Sequence, residues 1–141
     1  MKHNVLHAAL LALLASCGHP EAPDAPADAD WYLDTAVQRA SWGPADSEAA
    51  VTVSCTSPGE ITIYVAAAPP TQLETPDGRR VWATGDAFES VLRVPADSPF
   101  ALSLGRADTV QVRQVGRDGV TLPLGPEVEH ILNRCNLEDL R

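Results

Sequence analysis

The segment VTVSCTSPGEITIYV, residues 51–65, decides the fold because it predicts two strands joined by a tight turn. Apolar and polar residues alternate from Val51 to Cys55, a turn follows at residues 56–59, and the alternation resumes at Ile61. Successive side chains of a strand point to opposite faces, so each strand presents one apolar face. The segment therefore predicts an antiparallel hairpin that lies on a hydrophobic core.

Asp-Gly pairs at residues 77–78 and 118–119 predict two further hairpins, because Asp-Gly supplies the positive φ that tight turns need. Residues 88–94 predict another strand, and residues 31–40 fit a strand or a helix. About seven strands are thus expected. The strands on either side of the two Asp-Gly turns are predicted at 71–75, 79–84, 110–115 and 120–124.

Two helices are predicted in the second half of the chain. Ser98 and Pro99 form a cap followed by proline in the first turn of a short helix, which Gly105 can end. Pro126 opens a longer C-terminal helix with one apolar stripe. The fold class expected is α+β, a mostly antiparallel sheet forming a sandwich or an open barrel, with both helices packed on it. The inward helix residues are predicted to be Phe100, Leu104, Val128, Ile131, Leu132 and Cys135.

The composition limits the classes of function. A chain of 141 residues with 45% hydrophobic residues has room for one small globular domain. Its formal net charge of −9 repels nucleic acid phosphates on average. We therefore expect no nucleic acid partner.

The N-terminus has the pattern of an export signal. A short basic start precedes an apolar run from Val5 to Leu14, which is about half the length that a helix needs to cross a bilayer. The run ends in Leu14-Ala15-Ser16-Cys17, which resembles the lipobox of bacterial lipoproteins. The resemblance implies a signal peptide over residues 1–16, cleavage before Cys17, and a lipid on the Cys17 sulfur that makes the membrane a partner.

The residues after Cys17 predict where the domain is held. In the family that the lipobox implies, an aspartate in the next position retains the protein in the inner membrane, whereas this chain has Gly18. The resemblance therefore implies an outer-membrane lipoprotein in the cell envelope, facing the periplasm. Residues 17–30 are rich in Pro, Ala and Asp without apolar periodicity, so they predict a tether to a single domain over residues 31–141.

Two cysteines remain once Cys17 carries lipid. Cys55 and Cys135 both lie on predicted inward faces, and export places them where disulfides persist. A bridge between them would join the last helix to the sheet. The alternatives are a redox pair or a metal site, but the chain has neither a Cys-x-x-Cys turn nor four closely spaced ligands.

Few residues are candidates for catalysis. His130 is the one histidine beyond the tether, and Glu127 lies one turn before it on the same helix face, so the pair could supply two metal ligands. The sequence offers no third ligand nearby, and a solvated face with Glu127, His130 and Arg134 exposed is the interpretation we favour. Hydrolysis by two carboxylates stays open as an alternative, but we expect no catalytic centre, no cofactor and no metal.

Aromatic and basic residues form the candidate binding surface. An aromatic platform for a sugar or a peptide could be offered by Trp31, Tyr32, Trp42 and Trp82. Arg79 and Arg80, beside Trp82, could contact an anion. The alternatives are that the aromatic residues fill the core and that the arginines prevent aggregation at a sheet edge. Because Trp82 alternates with Val81 and Ala83, we expect it to face away from the core.

The order of motifs also resembles a group of small exported alphaproteobacterial proteins of unknown function. The shared elements are Trp42-Gly43-Pro44, Ser47-Glu48-Ala49, a strand ending at Cys55, Leu122-Pro123-Leu124, and a helix ending at Cys135. The layout is also similar to the invasion-associated locus B family and to small disulfide-bonded lipoprotein inhibitors of lysozyme. None of these resemblances implies an active-site residue.

The function expected is that of an envelope lipoprotein with a non-catalytic binding or structural domain. Its partner would be an envelope or extracellular protein. The alternatives are an inhibitor of a hydrolase such as lysozyme, whose basic surface an acidic protein would complement, and a small periplasmic enzyme.

Overall fold

The computed structural model describes residues 28–44, 48–114, 116–117 and 119–139. Within these ranges it contains nine strands and two helices, so the predicted α+β class is confirmed and the strand count is higher than expected. The elements are β1 Ala29–Asp34, β2 Arg39–Pro44, β3 Val51–Ser57, β4 Glu60–Val65, β5 Thr71–Glu74, β6 Arg80–Gly85, β7 Ser90–Pro95, α1 Pro99–Arg106, β8 Thr109–Gln114, β9 Val120–Pro123 and α2 Pro126–Asp139.

All nine strands belong to one antiparallel sheet in the order β1-β2-β3-β4-β7-β6-β5-β8-β9. Within the described residues, β6 and β7 pair only where Thr84 and Gly85 meet the start of β7. The two edge strands approach each other where the indole nitrogen of Trp31 donates to the carbonyl of Pro123 at 2.7 Å. The sheet is therefore a curled half-barrel.

The hairpin at residues 51–65 forms as predicted. Val51 and Val53 of β3 face Ile63 and Val65 of β4 in the core, while Thr52 and Tyr64 alternate with them on the other face. The next hairpin, β5 with β6, also forms around its Asp-Gly turn, and Gly78 there has φ +85°. At the third predicted turn Asp118 lies outside the described residues, but its flanking strands pair as β8 and β9.

The two additional strands arise near the N-terminus. The segment at residues 31–40 is neither one strand nor a helix: it contains most of β1 and the first two residues of β2. Gln38, with φ 50°, makes the turn between them in a backbone region that glycine usually occupies. β1 begins at Ala29, two residues before the predicted start of the domain at residue 31.

The boundaries of two elements in the second half also differ from the prediction. β7 begins at Ser90 rather than residue 88, because Asp86 Oδ1 accepts the backbone N–H groups of Phe88 and Glu89 and holds both in a loop. α1 continues to Arg106, so Gly105 lies within its last turn rather than ending it. At the start of α1, Ser98 Oγ accepts the Ala101 N–H at 3.2 Å as an N-cap.

Both helices lie at one end of the half-barrel. Cys135 of α2 is bonded to Cys55 of β3, which confirms the predicted disulfide, and the hydroxyl oxygens of Ser103 in α1 and Thr75, just beyond β5, are 3.0 Å apart. The predicted inward stripes of α1 and α2 are buried throughout: Phe100, Leu104, Val128, Ile131, Leu132 and Cys135. The helices therefore cover one end of the sheet.

Residues 1–27 lie outside the described part of the chain. The predicted signal peptide, the predicted lipidation site Cys17 and most of the predicted tether fall among them. In the part that the structure describes, neither helix has the length and hydropathy required to cross a bilayer.

Candidate functional site

The end of the half-barrel opposite the helices holds an apolar cavity of about 350 Å³. It lies where β2, β4 and β8 end and where β1, β3 and β9 begin. Its volume is within the range of about 300–1,000 Å³ that is usual for small-molecule sites. The lining residues are Ala29, Trp42, Pro44, Ala50, Val51, Val65, Ala66, Ala67, Val112, Gln114, Val120 and Leu122.

Trp42 is the largest side chain in the cavity wall. It lies on the inward face of β2, is 5% exposed, and pairs across the sheet with Trp31 of β1. The two indoles differ in their hydrogen bonding: Trp31 donates to the carbonyl of Pro123, whereas the buried Nε1 of Trp42 has no acceptor among the described residues. The cavity therefore has an aromatic side chain in its wall.

The loop between β4 and β5 forms part of the wall and is fixed by side-chain hydrogen bonds. Ser90 Oγ donates to the carbonyl of Ala67 at 2.7 Å, and Gln114 Nε2 donates to the carbonyl of Ala68 at 2.8 Å. The buried hydroxyl groups of Thr71 and Ser90 are hydrogen-bonded to each other at 2.9 Å. Because β7 and β8 both hold this loop, its part of the cavity wall is fixed.

The structure divides the predicted binding surface. Trp42 lines the cavity, whereas Arg80 and Trp82 lie on the outward face of β6 and Arg79 precedes them in an exposed turn. Trp82 is 52% exposed and faces away from the core, as its alternation predicted. Arg80 Nε forms an ion pair with Glu74 at 2.6 Å. The four residues therefore do not form one surface.

An exposed aromatic residue also projects from the loop between β6 and β7. Phe88 is 85% exposed, and Asp86 accepts its backbone N–H at 2.9 Å. The neighbouring Tyr64 has its pKa raised by burial, by a hydrogen bond with Glu89, and by the negative charges of Glu89, Glu48 and Asp86. Phe88 therefore lies on an ordered loop in an acidic environment.

The helix residues singled out as catalytic candidates form no cluster. Arg134 is exposed as predicted, whereas Glu127 and His130 are partly buried, so full exposure was wrong for these two. They lie beside the inward stripe of a helix that packs closely on the sheet, which reduces their exposure. In the described ranges, no three His, Cys, Asp or Glu side chains come together as a metal site would need.

At the helical end, the carboxylate of Asp77 accepts two side-chain hydrogen bonds. Thr75 Oγ1 donates to its Oδ1 at 2.5 Å, and Ser103 Oγ donates to the same oxygen. These bonds, with that from Ser103 first, hold the pKa of Asp77 below its ordinary value of 3.8. They join the β5–β6 turn to α1, and we assign the network to stability.

The cavity is the feature that sequence reasoning missed. The strands that line it have the alternating pattern of any half-buried strand, as at Val112, Gln114 and Val120, and nothing in that pattern tells which inward residues border empty space.

Comparison of the chain with protein-family models, with curated proteins and with solved structures gave no significant match.

Proposed function

We propose that this protein is a lipid-anchored envelope protein whose domain binds a small apolar molecule, without catalysis, in the cavity beside Trp42. The cavity carries the proposal. Side-chain hydrogen bonds fix one loop of its wall, its volume is typical of ligand sites, and apolar side chains form most of its wall. Burial of apolar surface in such a site contributes about 25 cal/mol per Å².

Ligand binding can be tested with the neutral fluorescent probe N-phenyl-1-naphthylamine. We expect saturable binding by one molecule per chain with an increase in probe fluorescence. Ala66→Trp should abolish binding, because Ala66 is exposed and lines the cavity. Ala36→Trp is the matched control, since Ala36 is exposed in the β1–β2 turn and is not part of the cavity wall. Equal binding by the two variants would contradict the proposed site.

The lipid anchor is the second part of the proposal, and the sequence from Leu14 to Cys17 supports it. We expect mass spectrometry of the membrane fraction to find a mature N-terminus at Cys17 with acyl chains attached. Cys17→Ser should move the protein to the soluble fraction, because two or three acyl chains bind a bilayer far more firmly than the domain alone. An unmodified Cys17 in wild-type protein would refute the anchor without affecting the cavity.

Inhibition of a hydrolase is a second candidate function, and the loop that presents Phe88 favours it. An exposed aromatic residue on an ordered loop can serve as the anchor of a protein interface, and the nearby carboxylates would complement a basic enzyme. If so, the protein should inhibit a basic lysozyme, and Phe88→Ala should weaken inhibition by about 10-fold or more. Val37→Ala provides a control, because Val37 is also exposed but lies in another turn.

A further inference from the structure

The outward face of β5, β6 and β8 carries an exposed aromatic side chain beside polar ones. Gln72 of β5 pairs across the sheet with Trp82 of β6 on one side and with Arg113 of β8 on the other. Paired residues point to the same face of a sheet, and the sequence neighbours Leu73 and Ala83 are buried on the inward face. The first three residues therefore lie side by side on the outside of the half-barrel, across the sheet from the cavity.

The guanidinium of Arg113 is held in place and still has unused donors. Its Nε and Nη2 both donate to Gln111 Oε1, at 3.1 and 2.5 Å. A guanidinium has five N–H donors, so these two bonds leave most of them unused. In the described part of the chain no carboxylate forms an ion pair with Arg113, whereas Arg80 on the same face is paired with Glu74. Arg113 is therefore a fixed cation that is available to a carboxylate from another molecule.

The charge of this face is opposite in sign to that of the whole chain. The charged residues of β5, β6 and β8 are Glu74, Arg80 and Arg113, so the positive charges outnumber the negative one. The chain as a whole has a formal net charge of −9, which repels densely charged anionic polymers. The face is therefore suited to a ligand with isolated carboxylates rather than to a polyanion.

Trp82 indicates what else the ligand contains. It is 52% exposed, and an indole is a flat apolar surface with a negative face that attracts the polarised C–H groups of a sugar ring. Neighbouring strands lie about 4.8 Å apart, so the backbones of Trp82 and Arg113 are separated by about 10 Å, with Gln72 between them. A sugar stacked on the indole would have its substituents within reach of both polar side chains. An extended peptide is less suited, because β5 and β8 are paired on both sides and have no free edge for an added strand.

We infer that this face binds a glycan, in which a sugar unit that carries a carboxylate stacks on Trp82 and pairs with Arg113. The Gln72 amide, which lies between them, is placed to bind hydroxyl groups of the same unit. The site is separate from the cavity, so the inference goes beyond the function proposed above and does not rest on it.

The test is a titration with a hyaluronan tetrasaccharide, in which acidic and neutral sugars alternate, and with its methyl ester, which lacks the charges. The full chain carries Cys17→Ser, which removes the predicted acyl anchor. It has three tryptophans, so nitrogen-15 spectra give three indole resonances. We expect both probes to move the Trp82 resonance saturably, with about 5- to 10-fold weaker binding of the ester. The buried Trp31 and Trp42 are internal controls whose resonances should not move.

Two variants separate the stacking from the ion pair. Trp82→Ala should weaken binding of both probes by about 10-fold or more. Arg113→Gln should weaken binding of the acid to the level of the ester and leave the ester unaffected. The matched controls are Tyr32→Ala and Arg39→Gln, which remove an aromatic residue that is 49% exposed and an exposed arginine from β1 and β2. Both controls should bind the probes like wild type.

The outcomes distinguish this site from the cavity. If neither probe moves the Trp82 resonance saturably, the inference is wrong, and equal affinity for acid and ester would overturn the part assigned to Arg113. Binding at Trp82 of an extended acidic peptide in place of the tetrasaccharide would assign the face to a protein partner and overturn the glycan. Trp82→Ala should bind N-phenyl-1-naphthylamine like wild type, so failure of one site leaves the other intact. Should this variant fail to fold, the wild-type titrations still decide the matter.

Discussion

Removal of the Cys55–Cys135 disulfide should be the most destabilising single change to this domain. The bond joins residues 80 apart in the sequence and connects β3 to α2. In the chain-entropy model, closing a loop of that length in the unfolded chain contributes about 4.5 kcal/mol at 25 °C. Residual structure in the unfolded chain reduces this value, so we expect a loss of about 3–4 kcal/mol.

The assay is urea unfolding of the double variant Cys55→Ala, Cys135→Ala, followed by tryptophan fluorescence and circular dichroism. A domain of this size has a total stability of about 5–15 kcal/mol, so the loss is a large fraction of it. The melting temperature should fall by more than about 10 °C. Reduced wild-type protein is the control, because it keeps both sulfur atoms and should match the double variant.

Two results would refute this reasoning. A double variant within about 1 kcal/mol of wild type would mean that α2 is held by packing alone. A double variant that is much less stable than reduced wild type would assign the effect to lost side-chain contacts, since Cys135 is completely buried. Peptide mapping under non-reducing conditions must also recover residues 55 and 135 in one linked fragment.

Three further changes test other parts of the fold. Trp31→Phe removes the hydrogen bond to the Pro123 carbonyl that joins the sheet edges, and should cost about 1–2 kcal/mol in urea unfolding; an unchanged midpoint would mean that the edges need no such bond. The pKa of Asp77 is lower in the folded protein, so its contribution to stability is present above about pH 4 and lost as pH falls through the folded-state pKa. Asp77→Asn should therefore lower the melting temperature at pH 7, and the difference from wild type should shrink below pH 3.8 and not above it. His130→Ala should cost less than about 1 kcal/mol, because His130 is only partly buried, and a loss above about 2 kcal/mol would indicate a role that its position does not explain.

Local patterns predicted the elements whose period is unambiguous. The alternation at residues 51–55 and 61–65 has one interpretation, and the spacing of the α2 stripe predicts one inward face. Once two inward faces are known, Cys55 and Cys135 are placed on surfaces that must meet. The sequence therefore predicted both the central hairpin and the disulfide.

Features that depend on register between distant strands could not be predicted in the same way. Trp42 and Trp82 are both aromatic residues in strands, but Trp42 faces inward in β2 and Trp82 faces outward in β6. The turn at Gln38 has no glycine or proline to mark it, so two strands could not be told from one segment. To predict the cavity, one must know both which residues face inward and where the strands begin and end, because the cavity forms only where β2 and β9 are brought together.

The two ends of the half-barrel differ in what they do for the protein. At the helical end, the disulfide holds α2 on β3, and the inward apolar stripe of α2, which includes the buried Ile131 and Cys135, covers the core. At the open end, small side chains such as Ala50 and Ala67 border the cavity, where larger ones would bury more apolar surface and stabilise the fold. A domain that stays open at one end needs stability from elsewhere, and the disulfide supplies it.

Ala29, the first residue of β1, also lines the cavity, and the residues between it and Cys17 can span at most about 40 Å. An anchor at Cys17 would therefore join the domain to the membrane from its open end rather than from its helical end.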